Sequence, residues 1–160
     1  MSILYIMVGV PGAGKTHWAK NFIKTHPEIQ YVSRDEIRFS LLEDGDDYFS
    51  KERHVFDIFS NQITSYLRGD QSIIADATHI SIASRAKLVS SLMNRGLKWK
   101  DFSIEIIFIN TMLGQCARNN ALRTGKEYVP KSVLKRMWYQ LEPPTVNEFK
   151  NCIGVMTINE

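Results

Sequence analysis

The chain has 160 residues, 44% of them hydrophobic and 23% charged, with a formal net charge of +3. That length predicts a single domain over residues 1–160 with a sizeable core, and no stretch is long and apolar enough to span a membrane. The apolar start lacks a basic leader, and Cys116 and Cys152 have neither metal-ligand spacing nor a disulfide framework, so a reducing cytoplasmic setting is expected, with both cysteines as packing residues.

The first predicted strand covers residues 3–8 and is almost continuously apolar, as in a strand buried on both faces. A helix is predicted over residues 15–24, with Trp18, Ala19, Phe22 and Ile23 at helical spacing. Between them Gly9, Val10, Pro11, Gly12, Ala13, Gly14, Lys15 and Thr16 match G-x-x-x-x-G-K-[ST], the phosphate-binding loop. Its glycines let backbone N–H groups turn towards phosphate oxygens, and the following helix adds its positive end. Lys15 is then expected on the β- and γ-phosphates, and Thr16 on Mg2+. A chance glycine turn is the competing reading, but the four fixed positions coincide in well under about 1% of chains this long.

The second predicted strand, residues 30–33, runs into a helix over 35–42 through "VSRDEIR". Asp35 stands at the strand end, where an acid can cap the helix or act as general base towards an attacking hydroxyl. Arg38, three residues on, shares its helical face and can hold an acceptor phosphate; a surface ion pair is the plainer reading. An acidic cluster at 43–49 precedes a helix over 51–68. The third strand, residues 72–76, ends in Asp76, where an acid can hold Mg2+ through water, or cap the next helix. Thr78 follows as a possible acceptor contact, and His79, lacking any His or Cys partner, reads as structural.

Beyond a helix at 81–95 come a strand at 103–110, a helix at 112–122, another at 131–140 and a last strand at 154–158. Arg118 and Arg123 flank a flexible turn, with Gly125 and Lys126 ahead of Pro130. They suit a lid over about 118–130 that binds nucleotide and neutralises charge on the transferred group; pairing with a helix dipole is the alternative. No guanine-reading N-K-x-D sequence is evident, which favours ATP. The basic residues concentrate in the second half, either as solvated helix faces or as a surface for a phosphate-rich partner. Strands alternating with helices predict an α/β fold with a parallel sheet, whose ligands bind outside the carboxyl ends of the strands.

In order, "GVPGAGKTHWA", "SRDEIR", "DATH", "RNNALRTGKEYVP" and "EPPTVNEF" resemble the phage-type 5′-hydroxyl polynucleotide kinases, within the small P-loop kinases that include the zeta toxins. The resemblance runs from Ile3 to about Phe149 and implies a five-stranded sheet ordered 2-3-1-4-5, flanked by helices and topped by a helical lid. It implies Lys15 and Thr16 on phosphates and Mg2+, Asp35 as general base, Arg38 on the acceptor phosphate and Arg123 on the transferring phosphoryl group. Arg34, Arg38 and Thr78 are the candidate acceptor-binding residues, and Arg118 and Arg123 join the phosphate-binding loop in holding nucleotide. The expected acceptor is the 5′ end of DNA or RNA. A small-molecule hydroxyl kinase (for a nucleoside, sugar or antibiotic) and a non-catalytic nucleotide switch are the alternatives. Two features depart from the phage pattern. Ala77 stands where an Asp should precede the Thr, with Asp76 one place earlier, and the lid is longer by two residues. No phosphatase motif is present, so kinase activity alone is expected.

Overall fold

A computed structural model describes residues 1–160. Five stretches rich in β-branched residues pair into one sheet: β1 (Ser2–Val8), β2 (Gln30–Ser33), β3 (Ile73–Asp76), β4 (Phe102–Asn110) and β5 (Cys152–Asn159). Every pairing is parallel and the order is β2-β3-β1-β4-β5, as expected. The crossovers are α1 (Lys15–Thr25), α2 (Arg34–Leu41), α3 (Glu52–Arg68), α4 (Ile82–Asn94), α5 (Leu113–Ala121) and α6 (Lys131–Gln140). No helix is long and apolar enough to cross a membrane.

Strand periodicity divides the apolar side chains between two faces. Leu4, Ile6 and Val8 of β1 join Phe59, Ile63, Leu88 and Leu92 of α3 and α4 in one core. Tyr5 and Met7 point the other way, to Ala19 of α1, Cys116 of α5 and Leu134 of α6. Both faces of the central strands are therefore dry, which accounts for the nearly unbroken apolar run at the start of the chain.

Most boundaries lie within one residue of the sequence expectation, and three differences have a local reason. Helix α2 starts at Arg34, because the Ser33 hydroxyl accepts from the Glu36 N–H at 3.2 Å and caps it. The cap is thus Ser33 and not Asp35. Strand β5 starts at Cys152, where an irregularity between Ile104 and Glu105 accommodates the extra residue. In the 118–130 segment, α5 ends at Ala121, a 3-10 turn forms over Gly125–Glu127, and Pro130 caps α6.

One buried ion pair ties the carboxyl ends of the strands to the return segment between α6 and β5. Arg85 on α4 is fully buried and donates from Nε and Nη2 to the two Glu148 oxygens, at 2.7 and 2.9 Å. Its other donors reach the carbonyls of His79 (2.7 Å) and Glu142 (3.0 Å). The loop after β3 is thereby clamped from behind. Glu148→Ala leaves the guanidinium buried without its counter-charge and is expected to destabilise the fold by about 3–5 kcal/mol. Arg85→Met combined with Glu148→Leu is expected to recover a large part of that loss. Urea denaturation of the single and double variants tests both.

Candidate active site

The loop from Gly9 to Gly14 follows β1 and delivers the chain into α1. Gly12 and Gly14 lie at φ 82° and 103°, in the left-handed region that favours glycine. At Gly12 a Cβ would also come within 2.5 Å of the Cys116 carbonyl oxygen, so α5 packs where a side chain would stand. The loop is anchored on its outer side. Gly9 N–H donates to the Thr78 carbonyl at 3.0 Å. Asn119 and Thr111 donate to the carbonyls of Gly12 and Ala13, at 2.8 and 2.7 Å. Gly14 gives α1 no side-chain cap, which leaves the first-turn N–H groups available to an anion.

Lys15 Nζ donates to the Val10 carbonyl at 3.1 Å, and no carboxylate lies within ion-pair distance of it. Burial pulls its ammonium below the usual lysine range, opposed by the charge of Asp76. A buried cation held by one carbonyl beside an uncapped helix end fits a phosphate group.

The register of β2 and β3 pairs Ser33 with Asp76, so both strands end at the same level beside this loop. Asp76 is buried, and a single oxygen, Oδ2, accepts from Thr16 (2.7 Å) and from the Tyr31 phenol (2.5 Å). Burial and the adjacent carboxylate raise the Tyr31 phenol far above its ordinary value, keeping it a proton donor here. The two residues expected at Mg2+ therefore meet, and their hydroxyl and carboxylate oxygens are the hard donors that cation takes. Tyr31 was not singled out from sequence, because its contact spans 45 residues.

Across the cleft, α2 presents Arg34, Asp35 and Arg38. Arg38 is buried, and its Nε and Nη2 grip Glu52 at the start of α3, at 3.1 Å (Nε) and at 2.9 and 2.7 Å (Nη2). Arg34 Nη2 reaches the same carboxylate. Arg38 Nη1 donates to Asp35 and, at 2.9 Å, to the Tyr48 oxygen. The Tyr48 hydroxyl in turn donates to Asp35 Oδ1 at 3.0 Å, and its ring lies 4.4 Å from the guanidinium carbon. The expected Asp35–Arg38 pair exists, but it belongs to a network whose other members, Glu52 and Tyr48, sequence reasoning missed. One signal was present: Arg34 and Arg38 stand four apart on α2, so a single acid can serve both.

These groups line one cleft of about 810 Å³, which brings Lys15, Thr16 and Asp76 together with Arg34, Asp35 and Arg38. Pro11, Thr78 and Arg123 also border it, the last from beyond the end of α5. Arg118 does not: it is exposed, donates to Gln115 at 2.8 Å and lies outside the cleft wall. Gly9, Val10, Gly12, Ala13 and Gly14 form the loop beneath without lining the cleft themselves.

The chain belongs to the AAA domain family AAA_33, whose sequence model matches residues 4–144. Among solved structures it is similar to a chain of the Pnkp1/Rnl/Hen1 RNA repair complex, at 24% identity and TM-score 0.74, over 88% of this chain and 44% of that one. A second structure of that complex is matched over 38% of its chain, so the present chain spans less than half of either. A sugar kinase from Janibacter sp. HTCC2649 (14% identity, TM-score 0.68) is covered over 86% of its length by 99% of this chain. A fungal RNA kinase (13%, TM-score 0.66) is covered over 74% by 98%. At these identities the similarity establishes the P-loop kinase fold.

His79 sits directly behind the cleft, at φ 43° and fully enclosed. Its Nδ1–H donates to the Met7 carbonyl at 2.9 Å, while Nε2 is buried without a partner. Burial holds its pKa down at about 4, against 6.5 for a free imidazole. Above pH 6.5 folded and unfolded chains both carry neutral imidazole, so no pH term arises. Between 6.5 and 4 the unfolded chain gains a proton that the folded chain refuses, and stability falls by up to about 3 kcal/mol. Below 4 the loss is constant. His79→Asn, which tolerates the left-handed backbone, is expected to flatten that segment of the stability–pH profile. Urea midpoints measured across the interval check it.

Proposed function

We propose that the chain is a kinase that transfers the γ-phosphoryl group of ATP to the 5′-hydroxyl end of a polynucleotide. The observation that carries this reading is Asp35. It is not the helix cap, it faces a phosphate-binding loop across one cleft, and it stands beside a cation, Arg38, suited to a phosphate next to the attacking hydroxyl. A pure nucleotide switch has no need of that pairing. The resemblance in "SRDEIR" and the lid, and the RNA kinase and RNA repair names among the structural neighbours, support the same reading.

In this mechanism the phosphate-binding loop and Lys15 hold the donor phosphates, Arg38 holds the acceptor phosphate beside the attacking hydroxyl, and Arg34 contacts the acceptor next to it. Thr78, at the cleft wall, contacts the acceptor. Asp35 takes the hydroxyl proton as the acceptor oxygen bonds to the γ-phosphorus. The bond from that phosphorus to the β–γ bridging oxygen breaks, and ADP leaves with the bond's electron pair. Arg123 neutralises charge on the transferring group. Thr16 and Asp76 are the residues that would hold Mg2+, whose chemistry is to offset phosphate charge.

Incubating γ-labelled ATP with 5′-hydroxyl oligonucleotides and with a panel of nucleosides and sugars tests the reading. Label is expected on the oligonucleotides; label confined to the small molecules would identify a small-molecule kinase instead. Asp35→Asn is expected to lower kcat by about 10²–10⁴-fold with little change in the KM for ATP, because it removes a proton acceptor and no donor contact. Lys15→Ala is expected to lower kcat by at least about 10²-fold in a folded protein. Initial rates with circular dichroism as a folding control check both variants.

A further inference from the structure

Two cations share one aromatic ring at the outer edge of the acceptor wall. The Arg34 guanidinium carbon lies 5.1 Å from the Phe56 ring centroid, and the Lys87 ammonium lies 4.9 Å from it. Phe56 projects from α3 and is only partly buried, while Lys87 is exposed on α4. Within the pocket, charge is already balanced: Arg34 and Arg38 face Asp35 and Glu52. Lys87 is different, because no carboxylate lies within ion-pair distance of it. The acid next to Phe56, Asp57, turns to Arg95 on the far side at 3.3 Å. Arg34 also has spare capacity: Nη2 is held by Glu52 and Nε is enclosed, but Nη1 has no acceptor and is not enclosed. A ring contact steadies an ammonium while leaving its N–H donors free, and a guanidinium with an open N–H beside it completes a site for a bridging anion.

We propose that Arg34, Phe56 and Lys87 form a second phosphate subsite, which takes the next backbone phosphate of the acceptor strand after the one held by Arg38. This rests on the polynucleotide kinase reading and extends it. The strand leaves the cleft over Phe56, between α3 and α4, and an acceptor with two or more phosphates binds better than one with a single phosphate. A sugar or nucleoside acceptor has no use for this subsite.

The test compares 5′-hydroxyl octathymidylate with thymidine 3′-phosphate, using the whole chain and Lys87→Gln. The substituted side chain is exposed, so the variant folds. Fluorescence anisotropy of a 3′-labelled octamer across a salt series gives affinity independently of turnover. Each phosphate contact on a single strand contributes about −0.7 to the slope of log affinity against log salt. Lys87→Gln is expected to make that slope shallower by about 0.7. The ratio of octamer KM to mononucleotide KM is also expected to rise, by about fivefold, as loss of one exposed charge contact worth about 1 kcal/mol predicts. An unchanged slope, or an equal change for both acceptors, would overturn the subsite and leave the kinase reading standing. A wild-type protein that phosphorylates neither acceptor would overturn both.

Discussion

The α2 side of the cleft depends on one buried guanidinium. Arg38 is 5% exposed and would be costly to place there unpaired. Glu52 answers it with both carboxylate oxygens, and Asp35 and Tyr48 take the donor that remains. Because Glu52 opens α3 while Arg38 lies on α2, this pairing sets how the two helices meet. It also fixes where Asp35 stands relative to the phosphate-binding loop. Tyr48 gains its place the same way: its ring covers the guanidinium, and its hydroxyl closes the contact with Asp35.

The donor side follows a different logic. There the backbone is committed and the side chain waits. Gly12 and Gly14 hold conformations that other residues rarely adopt, α5 packs against the first, and the loop carbonyls are tied down by Asn119 and Thr111. Lys15, by contrast, has a single carbonyl acceptor and a pKa lowered by burial. Anionic phosphate would favour its charged form and draw it from Val10. Thr16 and Asp76 connect this side to the β2–β3 edge through one shared oxygen, which Tyr31 holds from β2.

How much of this was legible in the sequence follows from distance along the chain. The phosphate-binding loop is eight consecutive residues with rigid spacing, so its form and neighbours could be read directly, as could the strand order that goes with the resemblance. Asp35 and Arg38 lie within one helical turn and were legible as a pair. Glu52, Tyr48 and Tyr31 were not, since their contacts bridge 14, 10 and 45 residues and depend on how α2, α3 and β2 pack. Arg118 shows the limit of reading by composition. Cys116 and Asn120 are the buried pair on α5, so a residue midway between them points outward, a matter of helical phase that the lid argument did not weigh. Ser33 shows the same for caps: an acid at a strand end attracts that role on paper, while the hydroxyl two residues earlier has the geometry.

The contact between Arg38 and Asp35 gives the proposed chemistry an internal order. With no acceptor present, Asp35 Oδ1 takes donors from both Arg38 and Tyr48, which occupy lone pairs on that oxygen. An acceptor phosphate is a competing partner for Arg38 Nη1, whose remaining donors stay on Glu52. As that donor turns to phosphate, Asp35 Oδ1 loses a cationic neighbour's hydrogen bond and keeps only that of Tyr48. The hydrogen bonding of the proposed base thus responds to the ligand whose proton it is to accept, and Glu52 is what keeps Arg38 in place while the exchange happens. Removing Glu52 would free Arg38 to follow either partner and would uncouple acceptor binding from the readiness of the base.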